Sequence, residues 1–369
     1  IDGFKPEPIY RLSISCGGIT ALSDRFEKKQ DAENILNVLK KQKVAQVTKI
    51  DPADKQEKAP QLYSLTVLQR DANRFLGFTA QQILDYTQSL YEKKLVTYPR
   101  TDARVLSTAV AKEIYKNISG LRNYPQAGEA AQGALELGAY KNIAKTRYTN
   151  DKQITDHYAI IPTGQGLGAL KGLSLTAQRV YETIVRRFLS IFYPPAVYQK
   201  VSLVTKMENE SFFSSFKVLL SEGYLKIAAN SFAKKSMAEA SGKTPESEGE
   251  GEVSCDEALL AALQKLKKGD ILNINGLGIK EGETSPPKRY NSGSMILAME
   301  NAGQLIEDED LRSQIKGSGI GTSATRAEIL KKLFNIRYLS LNKKTQVITP
   351  TLQGEMIYDV VNCSIRQLL

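Results

Sequence analysis

Residues 59–190 carry a helical hydrophobic period, and on both sides of them the chain alternates at period two. The two periods cannot belong to one kind of element, because helical side chains recur every 3.6 residues and strand side chains every two. In residues 9–16, Tyr10, Leu12, Ile14 and Cys16 fall on one side of a strand. The same alternation returns at residues 198–205, 212–220 and 271–279. Between them, Leu62, Leu65, Leu68, Ala72 and Phe75 form one helical stripe that Gly77 stops. Thr79 with Gln82 makes a capping box for the next helix, whose buried face is Ile83, Leu84, Leu90 and Tyr91. Ser107 caps a helix running to Ile118, residues 127–139 are alanine-rich and helical, and residues 175–192 form an amphipathic helix ended by Pro194-Pro195.

This pattern predicts an α+β multidomain chain. A β-rich domain is assembled from residues 1–58 and 191–283, and a helical domain of residues 59–190 is inserted in it. Residues 284–369 form a third, helical domain. There a helix at 295–301 ends near Gly303, and a second helix, boxed by Thr325 and Glu328, follows the glycines at 317–321. A hairpin of residues 338–341 and 346–349 completes a winged-helix-like unit. Residues 31–40 read as a short helix or strand entry. Residues 51–60, charged and holding two prolines, read as a linker, and residues 234–252, rich in Ser, Gly and Glu, as a mobile one.

The 369 residues are 41% hydrophobic, enough for packed cores in two or three domains. Lys and Arg number 50 against 40 Asp and Glu, and the net charge of +10 favours a polyanionic partner. Cys16, Cys255 and Cys363 lie far apart, which excludes a zinc ribbon or a Cys-x-x-Cys redox pair and suits a reducing cytoplasm. No apolar run approaches the roughly 18 residues of a membrane helix, so no membrane is expected. The chain opens Ile1-Asp2-Gly3-Phe4 without an initiator Met, as a piece of a longer protein would.

The most specific phrase is Thr97-Tyr98-Pro99-Arg100-Thr101-Asp102. Pro99 keeps Tyr98 near the extended region. Residues two apart on an extended chain point the same way, so the Tyr98 hydroxyl and the Arg100 guanidinium can face one ligand. A phenol beside a guanidinium suits attack on a phosphodiester, although a turn with one surface tyrosine reads equally well from the triplet alone. His157, the single histidine, sits in Asp156-His157-Tyr158-Ala159-Ile160-Ile161-Pro162-Thr163, and its imidazole can carry a proton or a charge near neutral pH. The helix start at residues 322–326 offers hydroxyls from Thr322, Ser323 and Thr325, the cation of Arg326 and free amides, all favourable to phosphate. Two other signals fail. Gly242-Lys243-Thr244 resembles the end of a nucleotide-binding loop, but Met237 stands where its first glycine is needed. Asp308 and Asp310 lie in an acidic segment that reads as exposed, so no metal site is expected in this chain.

These phrases, with Leu68-Gln69 and Ala72, Leu90-Tyr91-Glu92, Pro286-Pro287-x-Arg289-Tyr290, Met299-Glu300-x-x-Gly303 and Gly319-Ile320-Gly321-Thr322-Ser323-Ala324-Thr325-Arg326, occur in the order and spacing of the type IA DNA topoisomerases, which the chain resembles over roughly residues 60 to 350. Pro99, Ile160-Ile161-Pro162-Thr163 and the lack of zinc cysteines are more similar to the topoisomerase III branch than to topoisomerase I. Tyr158 stands where the family often has a second histidine.

The resemblance implies an arch whose helical tyrosine domain is inserted in a β-rich gate. It implies ATP-independent strand passage through a 5′-phosphotyrosine link, with Tyr98, Arg100 and His157 catalytic. Gln69, Thr101, Asp102, Arg104, Thr322, Ser323, Thr325 and Arg326 would lie along single-stranded DNA. It implies a monomer in the cytoplasm and, for the full-length enzyme, Mg²⁺ held by an N-terminal Toprim domain that nothing here matches. This stretch alone is then expected to bind single-stranded DNA without cleaving and resealing it at normal rates. A tyrosine recombinase also uses a phenol on phosphate, but the Arg-x-x-His pattern is absent. A non-catalytic basic scaffold that stacks bases on Tyr98 is the alternative.

Overall fold

A computed structural model of the chain describes residues 3–232, 252–254, 257–305 and 319–361. The stretch expected to be mobile, save Glu252, the Gly242-Lys243-Thr244 phrase and the Asp308/Asp310 pair lie outside the described residues. The chain divides into two compact units. One is Ile1–Glu57, Pro195–Gly223 and Lys235–Lys288; the other is Lys58–Pro194, Tyr224–Lys234 and Arg289–Leu369. Of residues 284–369, read from the sequence as a separate domain, those from Arg289 on fall in the helical unit.

The first unit is built on one sheet of β1 (Pro8–Cys16), β2 (Ile19–Leu22), β3 (Val44–Glu57), β4 (Ala196–Met207), β5 (Glu210–Ser221), β6 (Glu252–Ser254) and β7 (Ile271–Glu283). Its order is β2-β1-β7-β3-β4-β5-β6, and a single pair, Leu22 with Phe213, also joins β2 to β5. Gly17 and Gly18 turn β1 into β2 at φ +57° and +79°, the left-handed values that a two-residue hairpin of this twist needs. Leu12, Ile14 and Cys16 are wholly buried, so β1 puts the expected alternate residues inside, against α1 (Lys29–Leu39) and Phe212. Val47, Val201, Leu203 and Phe216 form a second core with Leu260 and Leu263 of the helix Glu257–Lys265.

Residues 51–57 are strand and not the linker their prolines and charges suggested. β3 pairs with β7 only through Val44–Gln46, and Val47 exchanges bonds with Gly269 and Asp270, whereas β4 accompanies it to Glu57. Beyond Val47 no strand of the described residues covers the other edge of β3, and such an edge tolerates Pro52 and exposed charges.

In the second unit, α2 (Leu65–Leu76) is capped by Ser64 and stopped by Gly77 at φ +71°. α3 (Ala80–Glu92) starts with the Thr79–Gln82 capping box. There follow α4 (Thr108–Glu113), capped by Ser107, then α5 (Tyr115–Gly120), α6 (Gly128–Leu137) and α7 (Leu175–Ser190). Leu62, Leu65, Leu68, Ile83 and Leu90 are wholly buried, as are Tyr181 and Phe188 of α7. Each such side chain contributes about 1.5–3 kcal/mol by leaving water. Phe75 and Tyr91, expected on buried stripes, are 43% and 39% exposed, and Tyr91 instead faces the cavity described below.

The helix Ser292–Glu300 lies on α2 and α3, and the Ser292 hydroxyl accepts the Ala80 amide at 3.0 Å. Ile296 and Met299 join Ala327 and Leu330 of the helix Arg326–Asn335 in one core. The Thr325–Glu328 box does not form. The Thr325 hydroxyl accepts the Thr322 amide instead, at 2.9 Å, and the Thr322 carbonyl takes the amides of Thr325 and Arg326. β8 (Leu339–Leu341) and β9 (Ile348–Pro350) form the expected hairpin, followed by the helix Leu352–Val360. Among the described residues no helix is long and apolar enough to cross a membrane.

Candidate active site

α3 ends by turning its chain directly into the tyrosine segment. Lys94 takes φ +60°, its amide bonds to the Tyr91 carbonyl at 2.8 Å, and the Leu95 amide to the Leu90 carbonyl at 3.0 Å. This pair of bonds is the Schellman termination, and Leu90 and Leu95, at the positions whose apolar side chains usually accompany it, are both fully buried. Leu95, Val96 and Thr97 then run antiparallel to Ala159, Ile160, Ile161, Pro162 and Thr163. Val96 faces Pro162, the Thr97 amide bonds the Ile161 carbonyl and the Thr163 amide the Leu95 carbonyl, both at 3.0 Å. The Thr97 hydroxyl donates to the Ala159 carbonyl and accepts the Ile161 amide, each at 3.0 Å. The phrase Ile160-Ile161-Pro162-Thr163 is thus the partner strand of the tyrosine phrase.

That pairing brings Tyr98 and His157 together from 59 positions apart. Their ring centroids are 4.3 Å apart with the planes tilted by 40°, and Tyr91 meets Tyr98 edge-on at 5.5 Å. The Thr101 hydroxyl donates to the His157 carbonyl at 2.8 Å, so a buried threonine fixes the backbone under the imidazole. Tyr98 is half-buried and His157 exposed, and both line a cavity of about 510 Å³ with Tyr91, Lys94, Tyr158 and Thr163. Arg100 is exposed and does not line that cavity, so the common face expected for Tyr98 and Arg100 is not the cavity face.

Beneath the site lies a charged network. Arg187 bonds Asp71 at 2.7 Å and lies over the Tyr63 ring at 4.2 Å, and the Tyr63 hydroxyl donates to Asp71 at 3.2 Å. Burial drives the Tyr63 phenol far above its ordinary value, so it remains a donor. The Tyr63 carbonyl takes the Ile160 amide at 2.8 Å, which ties this network to the strand leading out of His157. Arg104 is partly buried, which lowers its guanidinium pKa, and its Nε reaches the Leu62 carbonyl at 3.4 Å.

Two residues expected along DNA have their side chains engaged inside the protein. Gln69 is 1% exposed and gives its amide to the Ala80 carbonyl at 3.0 Å. Arg326 is 5% exposed. Its guanidinium bonds the Ile320 and Gly321 carbonyls, the Thr66 hydroxyl at 3.3 Å and Asp102 at 3.4 Å. Asp102 is exposed, and through Arg326 it joins the tyrosine segment to residues 320–326. Thr322 and Thr325 are exposed and Ser323 is buried. Lys94, Tyr91 and Thr163 were not singled out from the sequence as cavity residues. A helix ending in Lys-Lys with no glycine after it was the available signal for Lys94. Among the described residues no three His, Cys, Asp or Glu side chains group as metal ligands.

A family model described as DNA topoisomerase matches residues 1–368. The DNA topoisomerase 3 of Bacillus licheniformis is 34% identical over 98% of this chain and 48% of its own length, and that of Bacillus subtilis 33% over the same shares. The chain therefore spans about half the length of the curated relatives it matches. Topoisomerase I from Thermotoga maritima shares the fold, with a TM-score of 0.63 at 22% identity over 97% of this chain and 52% of that one. With its tyrosine and histidine phrases joined in one site, the chain belongs to the type IA DNA topoisomerase family.

Proposed function

We propose that this chain supplies the tyrosine half of an ATP-independent strand-passage enzyme. The Tyr98 hydroxyl loses its proton and attacks a phosphodiester of single-stranded DNA. The new phosphorus–oxygen bond carries the 5′ phosphate on tyrosine, the bond to the 3′ oxygen breaks, and that oxygen leaves as a hydroxyl after taking up a proton. Resealing runs the same steps backwards, so the bond energy is kept and no nucleotide is hydrolysed. His157 holds the phosphate beside the phenol, and Arg100 offsets charge on the strand outside the cavity. The observation that carries this reading is the 4.3 Å approach of the only histidine to Tyr98 at an open cavity.

The β-rich unit is proposed as the gate of an arch that opens for a second strand, with the intact enzyme a monomer. Mg²⁺ is expected to act in the full-length enzyme through a separate acidic domain. The described donor set here does not fit a metal, and the steps above use only groups of this chain. This chain alone is proposed to bind single-stranded DNA without cleaving and resealing it at normal rates.

Alkaline quenching of the full-length protein on a 3′-labelled single strand tests the reading. Wild type should retain label covalently, whereas Tyr98→Phe should bind the strand and retain none. An adduct that persists in Tyr98→Phe overturns the assignment. Binding with no adduct in wild type leaves Tyr98 as a stacking surface for bases.

A further inference from the structure

Among the described residues, four helices of the second unit end in a left-handed residue. α2 uses Gly77 at φ +71° and α6 uses Gly138 at φ +69°, but α3 uses Lys94 at φ +60° and the helix Arg326–Asn335 uses Arg337 at φ +59°. Glycine takes this region without strain, whereas a residue with a Cβ is disfavoured there by roughly 1–2 kcal/mol. The termination is held all the same. The Lys94 carbonyl accepts the Thr163 hydroxyl at 2.6 Å, and the Leu95 amide closes on Leu90. A lysine near a helix C-terminus gains about 0.3–1 kcal/mol from the dipole, but Lys93 already provides a cation there. Stability therefore favours glycine at this position, and the lysine needs another reason.

That reason lies in where the left-handed turn sends the side chain. Lys94 is exposed and lines the cavity that Tyr98 and His157 share. Glu92, on the same wall, takes the Gln88 amide at 3.1 Å, and among the described residues no carboxylate holds the Lys94 ammonium. Strained backbone clusters at ligand sites, and unlike Arg337 this strained residue lines the Tyr98 cavity.

We infer that Lys94 is a phosphate-binding residue of the Tyr98 cavity, its ammonium taking a non-bridging oxygen of the single-stranded DNA backbone. This rests on the strand-cleavage reading for its substrate, but not for its test. The decisive variant is Lys94→Gly, because it relieves backbone strain while it removes the charge. Its thermal midpoint should equal or exceed that of wild type. Lys94→Asn, which also tolerates the left-handed region, repeats the measurement with a side chain present.

Affinity for a fluorescent oligo-dT strand is read by anisotropy across a salt series. The slope of log affinity against log salt should flatten by about 0.7 in both variants, the contribution of one phosphate contact on a single strand, and Lys94→Arg should keep it. The trapped adduct of the full-length protein should fall about tenfold in Lys94→Gly, as loss of one charge-assisted bond predicts. If wild type forms the Tyr98 adduct but Lys94→Gly matches it in slope and yield, the Lys94 assignment is overturned and strand cleavage stands. If wild type forms no adduct, strand cleavage falls, and the salt slope alone decides whether Lys94 binds phosphate. A Lys94→Gly protein less stable than wild type overturns the strain argument.

Discussion

The Thr101 hydroxyl donates to the His157 carbonyl at 2.8 Å, and this one bond ties the tyrosine segment to the backbone of the only histidine. The same oxygen accepts the Ala103 amide at 3.1 Å, so the buried hydroxyl serves two backbone groups. Thr101→Val keeps the shape and removes both bonds. We expect a loss of about 1–3 kcal/mol, the usual effect of leaving buried polar groups unmet. Because His157 is the sole histidine, its imidazole proton is a single resolved NMR signal. That signal should shift or broaden in Thr101→Val, with a reduced covalent adduct in the full-length protein. An unmoved signal with wild-type adduct yield would refute the positioning role.

Much of the helical unit was legible because its signals are local. The Thr79–Gln82 box, the Gly77 stop and the Ser107 cap lie within four residues of what they control, and all three form. What failed depended mostly on distant partners, with one local exception at Thr325. Pro52 argues for a linker until β4 covers one edge of its strand and leaves the other open. Thr325 and Glu328 have the spacing of a capping box, but the Thr325 hydroxyl is taken by the Thr322 amide. Arg326 reads as a free cation until Asp102, 224 positions away, is placed beside it. In the site, Tyr98 and His157 were readable as phrases, whereas Lys94 was not, since only its backbone angle separates it from an ordinary helix-end lysine.

Asp71 is 10% exposed and Arg187 14%, and their contact at 2.7 Å is the centre of the network beneath the site. Asp71 also receives the Tyr63 hydroxyl and, at 2.8 Å, Arg70. Asp71→Ala leaves the Arg187 guanidinium inside the protein without its carboxylate. Removing one partner of a buried pair typically destabilises by about 3–5 kcal/mol. The denaturant midpoint of Asp71→Ala should fall accordingly. A shift below about 1 kcal/mol, the range of surface pairs, would mean that water reaches the network.

Glu300 is held above the ordinary glutamate range by burial, against the pull of Arg326. Its folded state therefore keeps the proton more tightly than the unfolded chain does. The stability this confers is complete below the unfolded value, about pH 4.3, and is lost as pH rises through the folded value. Glu300→Gln cannot ionise and lacks that decline. Denaturant midpoints of the two proteins, taken every half unit from pH 4 to pH 8, should move apart in favour of the Glu300→Gln variant as pH rises. Curves that stay parallel would show that the carboxyl is not held up in the folded protein.

Gly293 sits inside the helix Ser292–Glu300, where alanine would ordinarily add about 0.5–1 kcal/mol of stability. A Cβ at this position, however, would come within 2.7 Å of the Arg70 Cα and 3.1 Å of the Arg70 carbonyl oxygen. Both are backbone of α2, which cannot swing aside as a flexible side chain can. Gly293→Ala must push the helix off α2, and overpacking of this kind typically costs about 1–3 kcal/mol. The sign of the effect is therefore the test. A lower thermal midpoint shows that backbone contact sets the seating of this helix on α2, whereas a higher one would mean that the two helices are not in close contact in solution. Because the helix ends at Glu300, beside Arg326 and Thr66, the destabilised variant should also flatten the pH response assigned to Glu300.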